Sequence, residues 1–233
     1  MMGKAAMMLV AMSLPVAAVA QSYQCRMPAR VAVPTVTPDG PQRRTPVSGY
    51  TLALSWSPEF CKGRERDARH RIQCSGRNGR FGFIAHGLWP ESRTRWPQWC
   101  GSSRALSPQE TRRNMCMSPS TALLARQWAK HGSCMTRKPE TYFKVSRILF
   151  DSLQFPDMAR LSREDGLTAD RLRQEFARLN RGIGAESVGL KVNRRGWLQE
   201  MRLCYDKRFR PRSCDTARFG PSDSAPLKIW RGL

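Results

Sequence analysis

The chain has 233 residues, with 40 lysines and arginines against 18 acidic residues and a formal net charge of +22. That length fits one large domain or two small ones. The charge, mostly arginine and spread along the chain, points to polyanionic partners or anionic envelope surfaces, because guanidinium groups suit bidentate phosphate contacts. No internal repeat or low-complexity tract is present, and past the first twenty residues no stretch is long and apolar enough to span a bilayer.

Residues 1–20 read as an export signal. One lysine, Lys4, precedes an apolar run over residues 5–19, and Ala18-Val19-Ala20 stands before Gln21 as a small-residue cleavage site. All eight cysteines follow it: Cys25, Cys61, Cys74, Cys100, Cys116, Cys134, Cys204 and Cys214. An even number behind an export signal implies disulfides, with the pairing left open by the sequence. No C-x-x-C spacing and no zinc-spaced histidine pair favours a metal.

Residues 21–48 are rich in Pro, Val and Thr without helical period, and read as an extended arm, mobile unless Cys25 is bridged. GYTLALSWSP (49–58) alternates and reads as a buried strand ended by Pro58. A basic loop with two cysteines follows to residue 80; His70 lies in its RERDARHR run and reads as solvated. FGFIAH (81–86) is the next strand, ending at His86, and residues 91–103 are loop. Ser107-Pro108-Gln109-Glu110 is a capping box that opens a short helix. A second helix spans 119–130 and stops at Gly132. A third spans 141–153, with Phe143, Ile148, Leu149 and Leu153 near one stripe. A fourth, over 168–180, starts on a Thr168 cap and aligns Leu172, Phe176 and Leu179. VGLKVNRRGWLQEMRLCY (188–205) reads as a hairpin turning at 193–196, and residues 227–230 as a last strand. Strands, then helices, then strands predict the α+β class, an antiparallel sheet packed with several helices.

Two of the three histidines sit in similar settings, FIAHGLWP (83–90) and WAKHGSC (128–134). On a helix over 119–131, Leu123, Gln127 and His131 are spaced i, i+4, i+8 and share a face. Arg126 and Lys130 form a second i, i+4 pair beside it. Two cations at that spacing repel unless an anion lies between them, so this turn reads as a phosphate-handling surface. His86 is held by a strand, and Gly87 lets a partner or substrate come close. Two imidazoles across a cleft, with a lysine near, have the groups needed to cleave RNA without metal. One takes the proton from the ribose 2′-OH, the other protonates the departing 5′-oxygen, and the cation offsets charge on the phosphoryl oxygens. DNA lacks the 2′-OH and is bound at most. The competing readings are an exported polyanion-binding protein without catalysis, and a metal-dependent hydrolase with the histidines as ligands.

FIAHGLWP and WAKHGSC resemble the two signature segments of the ribonuclease T2 family of secreted endoribonucleases, usually HGLWP and HEWxKHGTC. LALSWSPEFC (52–61) resembles the family's first core strand, and the Cys204 to Cys214 segment resembles its closing region, so that the likeness covers most of residues 49–214. The resemblance implies one disulfide-stapled catalytic domain over 49–233, no metal or other cofactor, and RNA as partner. It implies cleavage through a 2′,3′-cyclic phosphate. The chain reads as an endoribonuclease of little base preference and a monomer, and the export signal and cysteine count fit both the periplasm and secretion. By matching position, His131 is the general base, His86 the general acid and Lys130 the transition-state stabiliser, with Trp89 in a base-binding pocket. It further implies Cys61–Cys74, Cys100–Cys134 and Cys204–Cys214, which leaves Cys25–Cys116. The chain departs from the pattern where Arg126-Gln127 stands for the usual His-Glu. Arg126 keeps a cation for phosphate but exchanges no proton. Gln127 keeps the size but loses the carboxylate, so Arg126 and Lys130 are expected to press the proton affinity of His131 down unopposed.

Overall fold

Alternation in the 49–56 stretch decides the layout. Leu52, Leu54 and Trp56 point to one side and are buried in the core, while Thr51, Ala53 and Ser55 point to the other. The computed structural model describes residues 22–101 and 104–232; the export segment over 1–20 lies outside the described residues. The strands are β1 (Ser22–Tyr23), β2 (Gly49–Trp56), β3 (Arg80–Phe81), β4 (Phe83–Glu91), β5 (Val188–Val192) and β6 (Leu198–Asp206). The helices are α1 (Ser57–Cys61), α2 (Arg71–Cys74), α3 (Pro108–Asn114), α4 (Thr121–Lys130), α5 (Pro139–Asp151), α6 (Met158–Leu161), α7 (Ala169–Leu179) and α8 (Thr216–Phe219).

Four strands form one antiparallel sheet in the order β4-β2-β6-β5. Phe83, Ala85 and Leu88 of β4 and Met201, Leu203 and Tyr205 of β6 join Leu52 and Leu54 on its inner face. Leu124 and Trp128 of α4, Tyr142, Phe143 and Phe150 of α5, and Leu172 and Phe176 of α7 complete the same apolar cluster. Burying each such side chain contributes about 1.5–3 kcal/mol. This is the α+β arrangement that the element order predicts. The outer edge of β4 is closed rather than bare. Ala85 N–H donates to the Met117 carbonyl at 2.9 Å, and the Tyr142 hydroxyl exchanges hydrogen bonds with the Leu88 backbone.

Several expectations change in detail. The 59–80 loop carries two short helices, α1 and α2, clipped together by Cys61–Cys74. The second strand does not stop at His86 but runs on to Glu91, because its hydrogen bonds to β2 continue through Gly87, Trp89 and Pro90. In the third long helix Ile148 is 58% exposed. The buried stripe is instead Tyr142, Phe143, Ser146 and Phe150, since five residues from Phe143 turn Ile148 well off that face. The capping box is half formed: Ser107 accepts from the Glu110 N–H, but the Glu110 carboxylate goes to Asn114 and Arg147. Residues 227–230 make no strand. Leu227 and Ile229 are buried, and Trp197 and Lys228 form only an isolated bridge.

The arm is extended but tied down. β1 pairs with β3, Cys25 is bonded to Cys116, and Arg43 bridges Gln98. Met27, Val31 and Val33 pack on the core. The other bonds are Cys61–Cys74, Cys100–Cys134 and Cys204–Cys214. Cys25–Cys116 closes the longest loop, with a sequence separation of 91, and so restricts the unfolded chain most. Replacing both cysteines by serine is expected to lower stability by about 3 kcal/mol and to speed proteolysis between residues 25 and 47. Chemical denaturation and timed digestion check this, and an unchanged midpoint would show that the arm adds nothing to stability.

Candidate active site

The site is made where α4 lies along β4, on the sheet face opposite the core. Its organising feature is a β-bulge. Ala53 pairs with Gly87 and Leu54 with Ala85, so the register skips His86. In a regular strand His86 and Trp89, three apart, would point to opposite faces. The extra residue shifts the alternation, and both side chains reach the same outer face while Ala85 and Leu88 remain in the core. Trp89 is therefore not core packing. It is half-buried on that face, with the His86 ring 5.2 Å and the His131 ring 5.7 Å from its centroid. The two histidine stretches are thus brought to one indole.

Gly87 explains how the helix gets there. A Cβ at this position would overlap the Gln127 amide and crowd Trp89 Nε1. With glycine present, buried Gln127 sits against the strand and accepts a hydrogen bond from Trp89 Nε1 at 2.8 Å. Gly132 allows a similar close approach just beyond the helix, where a Cβ would strike Trp128 and Tyr142. α4 begins on the Ser120 cap, which accepts from Leu123 N–H, and ends with His131 as its C-cap residue.

The two imidazoles have opposite surroundings. His131 is 8% exposed, and its Nδ1 is buried without a hydrogen-bond partner among the described residues. Burial first, then the charges of Lys130, His86 and Arg126, hold its proton affinity down, to a pKa of about 3, with Asp39 acting weakly the other way. The expected direction holds, but its main cause is desolvation, and the two cations are not unopposed. The anion between them is Asp39 of the arm. Its carboxylate takes a hydrogen bond from Arg126, lies 3.1 Å from Lys130 Nζ, and accepts from Trp99 Nε1 at 3.2 Å. The Arg126 hydrogen bond, and after it that of Lys130, take Asp39 itself down to about 2.

His86 is partly open to solvent, and its Nδ1 lies 2.6 Å from Glu200 Oε1 and 3.4 Å from Ser55 Oγ. Glu200 is buried, and its second oxygen accepts from Arg202, whose guanidinium stands 5.8 Å over the Trp89 ring. His86 lines a cavity of about 560 Å³ with Ser55, Phe60, His70, Leu123 and Arg126. His131, Lys130 and Trp89 line another of about 380 Å³ with Trp96 and Arg218. His70 is not free in solvent: it stands edge-on to Phe60 at 5.0 Å. Asp39, Ser55, Glu200 and Arg202 are site residues that sequence reasoning missed. Alternation alone places Ser55 on the outer face, but nothing local ties Glu200 to His86 or Asp39 to Lys130. No group of His, Cys, Asp and Glu among the described residues is arranged to hold a metal ion.

The burial of His131 has a consequence for acid stability. Its folded-state pKa lies below the ordinary 6.5, so the unfolded chain takes up the proton first as pH falls. This contribution is fully present above about pH 6.5 and is lost as the pH drops towards 3. Between pH 7 and pH 4 the wild type is expected to lose about 3 kcal/mol more than His131→Asn. Denaturant midpoints of both proteins at the two pH values test this, and equal losses would refute it.

The geometry can be set beside known proteins. The model of the Ribonuclease T2 family matches residues 48–214. A probable ribonuclease of Haemophilus influenzae is 31% identical over 189 residues, 76% of this chain and 64% of that protein. A ribonuclease of Aeromonas hydrophila is 32% identical over 164 residues, 68% of this chain and 71% of its own length. The chain thus spans somewhat less than two thirds of the Haemophilus relative. Among solved structures, trichomaglin, described as a novel S-like ribonuclease, superposes with a TM-score of 0.61 at 20% identity, over 79% of this chain and 98% of its own. The SF11-RNase of Nicotiana alata gives 0.55 at 17% identity, over 80% and 100%. At such identities the likeness is one of fold. The family match takes in the strand, the bulge and the helix that bring His86, Trp89 and His131 together, and the chain belongs to the ribonuclease T2 family.

Proposed function

We propose that the protein is an exported, metal-independent endoribonuclease that cleaves single-stranded RNA with little base preference, residues 49–233 acting as one catalytic unit. The observation that carries this reading is the pair of imidazoles beside Trp89, one buried and held neutral, the other partly exposed beside a carboxylate. Neutral His131 is the base and takes the proton of the ribose 2′-OH. The 2′-oxygen forms a bond to phosphorus and the P–O5′ bond breaks. His86 gives its proton to the departing O5′, so that the products are a 2′,3′-cyclic phosphate end and a 5′-OH end. Lys130 offsets the charge that builds on the phosphoryl oxygens. Arg126 contacts phosphate, Gln127 holds Trp89, and the Trp89 face stacks on a nucleobase. Burial and the neighbouring cations hold the pKa of His131 down to about 3. A phosphodiester charge between the rings raises it, which favours proton uptake where the chemistry needs it.

The N-terminal signal and the four disulfides support export to an oxidising compartment, the periplasm or the medium, and the protein acts as a monomer. The net charge of +22 adds long-range attraction for RNA that weakens with salt.

RNA incubated with purified protein in EDTA is expected to be cut to cyclic-phosphate ends, DNA to be left intact, and His86→Ala and His131→Ala each to lose activity by at least about 100-fold. Binding without cleavage would favour a polyanion-binding protein of the same fold, and loss of cleavage in EDTA a metal-dependent hydrolase. Gln127→Glu keeps the acceptor for Trp89 Nε1 and adds the family's charge beside His131. The acidic limb of its pH–rate profile is expected at higher pH than in the wild type, with the rate at neutral pH equal or greater. Superimposable profiles would show that residue 127 does not tune the base.

A further inference from the structure

Glu200 is the one buried carboxylate, among the described residues, that touches a proposed catalytic group. It stands on β6, two strands away from β4, with β2 between them. The contact depends on three features. Ser55 of β2 is paired with Glu200 in register and is small enough for the two longer side chains to meet above it. Alternation from Ile84, which pairs with Ser55, puts His86 on the same face. Arg202, two residues along the same face, holds Glu200 Oε2 through Nε at 3.3 Å and Nη2 at 3.0 Å and leaves Oε1 for the imidazole. The sheet does not need this contact, since β2 already pairs along its length with both β4 and β6. A buried carboxylate costs several kcal/mol of desolvation unless paired. Burial pushes the Glu200 carboxyl up, but the hydrogen bond from His86 and the charges of His86, Arg202 and Lys191 bring it to about 2.

We propose that Glu200 is a positioning residue for the ribonuclease site, holding a proton on His86 Nδ1 so that Nε2 is the nitrogen turned to the scissile phosphate. This rests on the reading of His86 as the proton donor. An imidazole free in water prefers the other tautomer, with its proton on Nε2 and Nδ1 bare. A carboxylate 2.6 Å from Nδ1 reverses that preference and fixes the ring plane. In the charged ring both nitrogens then carry protons, one held by Glu200 and one left for the leaving oxygen. After transfer the ring stays in the tautomer that can be recharged at Nε2. The carboxylate absent from α4 at Gln127 is thus present in the same site, supplied by a different strand to the other histidine.

Two variants separate this from a purely structural role. Glu200→Ala removes the acceptor, whereas Glu200→Gln is isosteric and keeps an amide oxygen for Nδ1–H. In the wild type, ¹⁵N shifts of the neutral His86 ring are expected to show the proton on Nδ1, and in Glu200→Ala on Nε2. The kcat for RNA is expected to fall about 10–100-fold in Glu200→Ala with KM within about twofold, and Glu200→Gln to recover the tautomer and some of the lost kcat. A Glu200→Ala protein that keeps its proton on Nδ1, or that keeps the wild-type kcat, overturns the proposal. A wild type that does not cleave RNA would instead overturn the ribonuclease reading, and the ring shifts would then decide by themselves whether Glu200 sets the tautomer.

Discussion

One extra residue in β4 governs the site. Strand geometry allows a side chain to face the core or solvent by strict alternation, and a stretch that must supply Ala85 and Leu88 to the core cannot otherwise present both His86 and Trp89 to the other side. The bulge at His86 resolves that conflict without breaking the strand, because pairing resumes at Gly87 and runs to Glu91. Gly87 then removes the one Cβ that would hold α4 away. The apolar core, the site face and the approach of the helix all depend on this local irregularity. A deletion at this point would turn Trp89 inward rather than merely remove a histidine.

The second organising fact is electrostatic asymmetry. Two imidazoles in like surroundings would compete for one proton. Here burial and neighbouring cations empty His131, while His86 has a carboxylate to bind against. The proposed roles of base and acid rest on where each ring sits: His131 ends a helix and is buried, and His86 reaches across β2 to Glu200. The arm adds a further element. Asp39 neutralises some of the Arg126 and Lys130 charge, so a highly basic protein keeps two cations at helical spacing without their full mutual repulsion.

Much of this is legible in the residues. Alternation at 49–56, the Ser107 and Thr168 caps and the hairpin over 188–205 appear as expected, because each is decided by neighbours within a few positions. Ile148 and residues 227–230 depart from expectation for a shared reason. An apolar residue near a helical stripe, or a short apolar run, is assigned by whatever packs against it, and that partner is distant in the chain. The 21–48 arm has Cys25 as its one local sign of fastening. Its anchors, Cys116, Gln98, Trp99 and the end of α4, lie far along the sequence.

By itself the sequence determined the class of fold, the even set of cysteines, the basic field, and the two histidine stretches with the glycines that follow them. Those are properties of composition and short spacing, which a linear chain carries openly. Only the tertiary structure decided that His86 lies within a strand at a bulge, that Trp89 stands beside both rings, that Asp39 sits between Arg126 and Lys130, and that Glu200 reaches His86. Each of these depends on strand register or on long-range docking. A shift of one residue in register exchanges the two faces of a strand, and no local pattern records which of them a distant partner will meet.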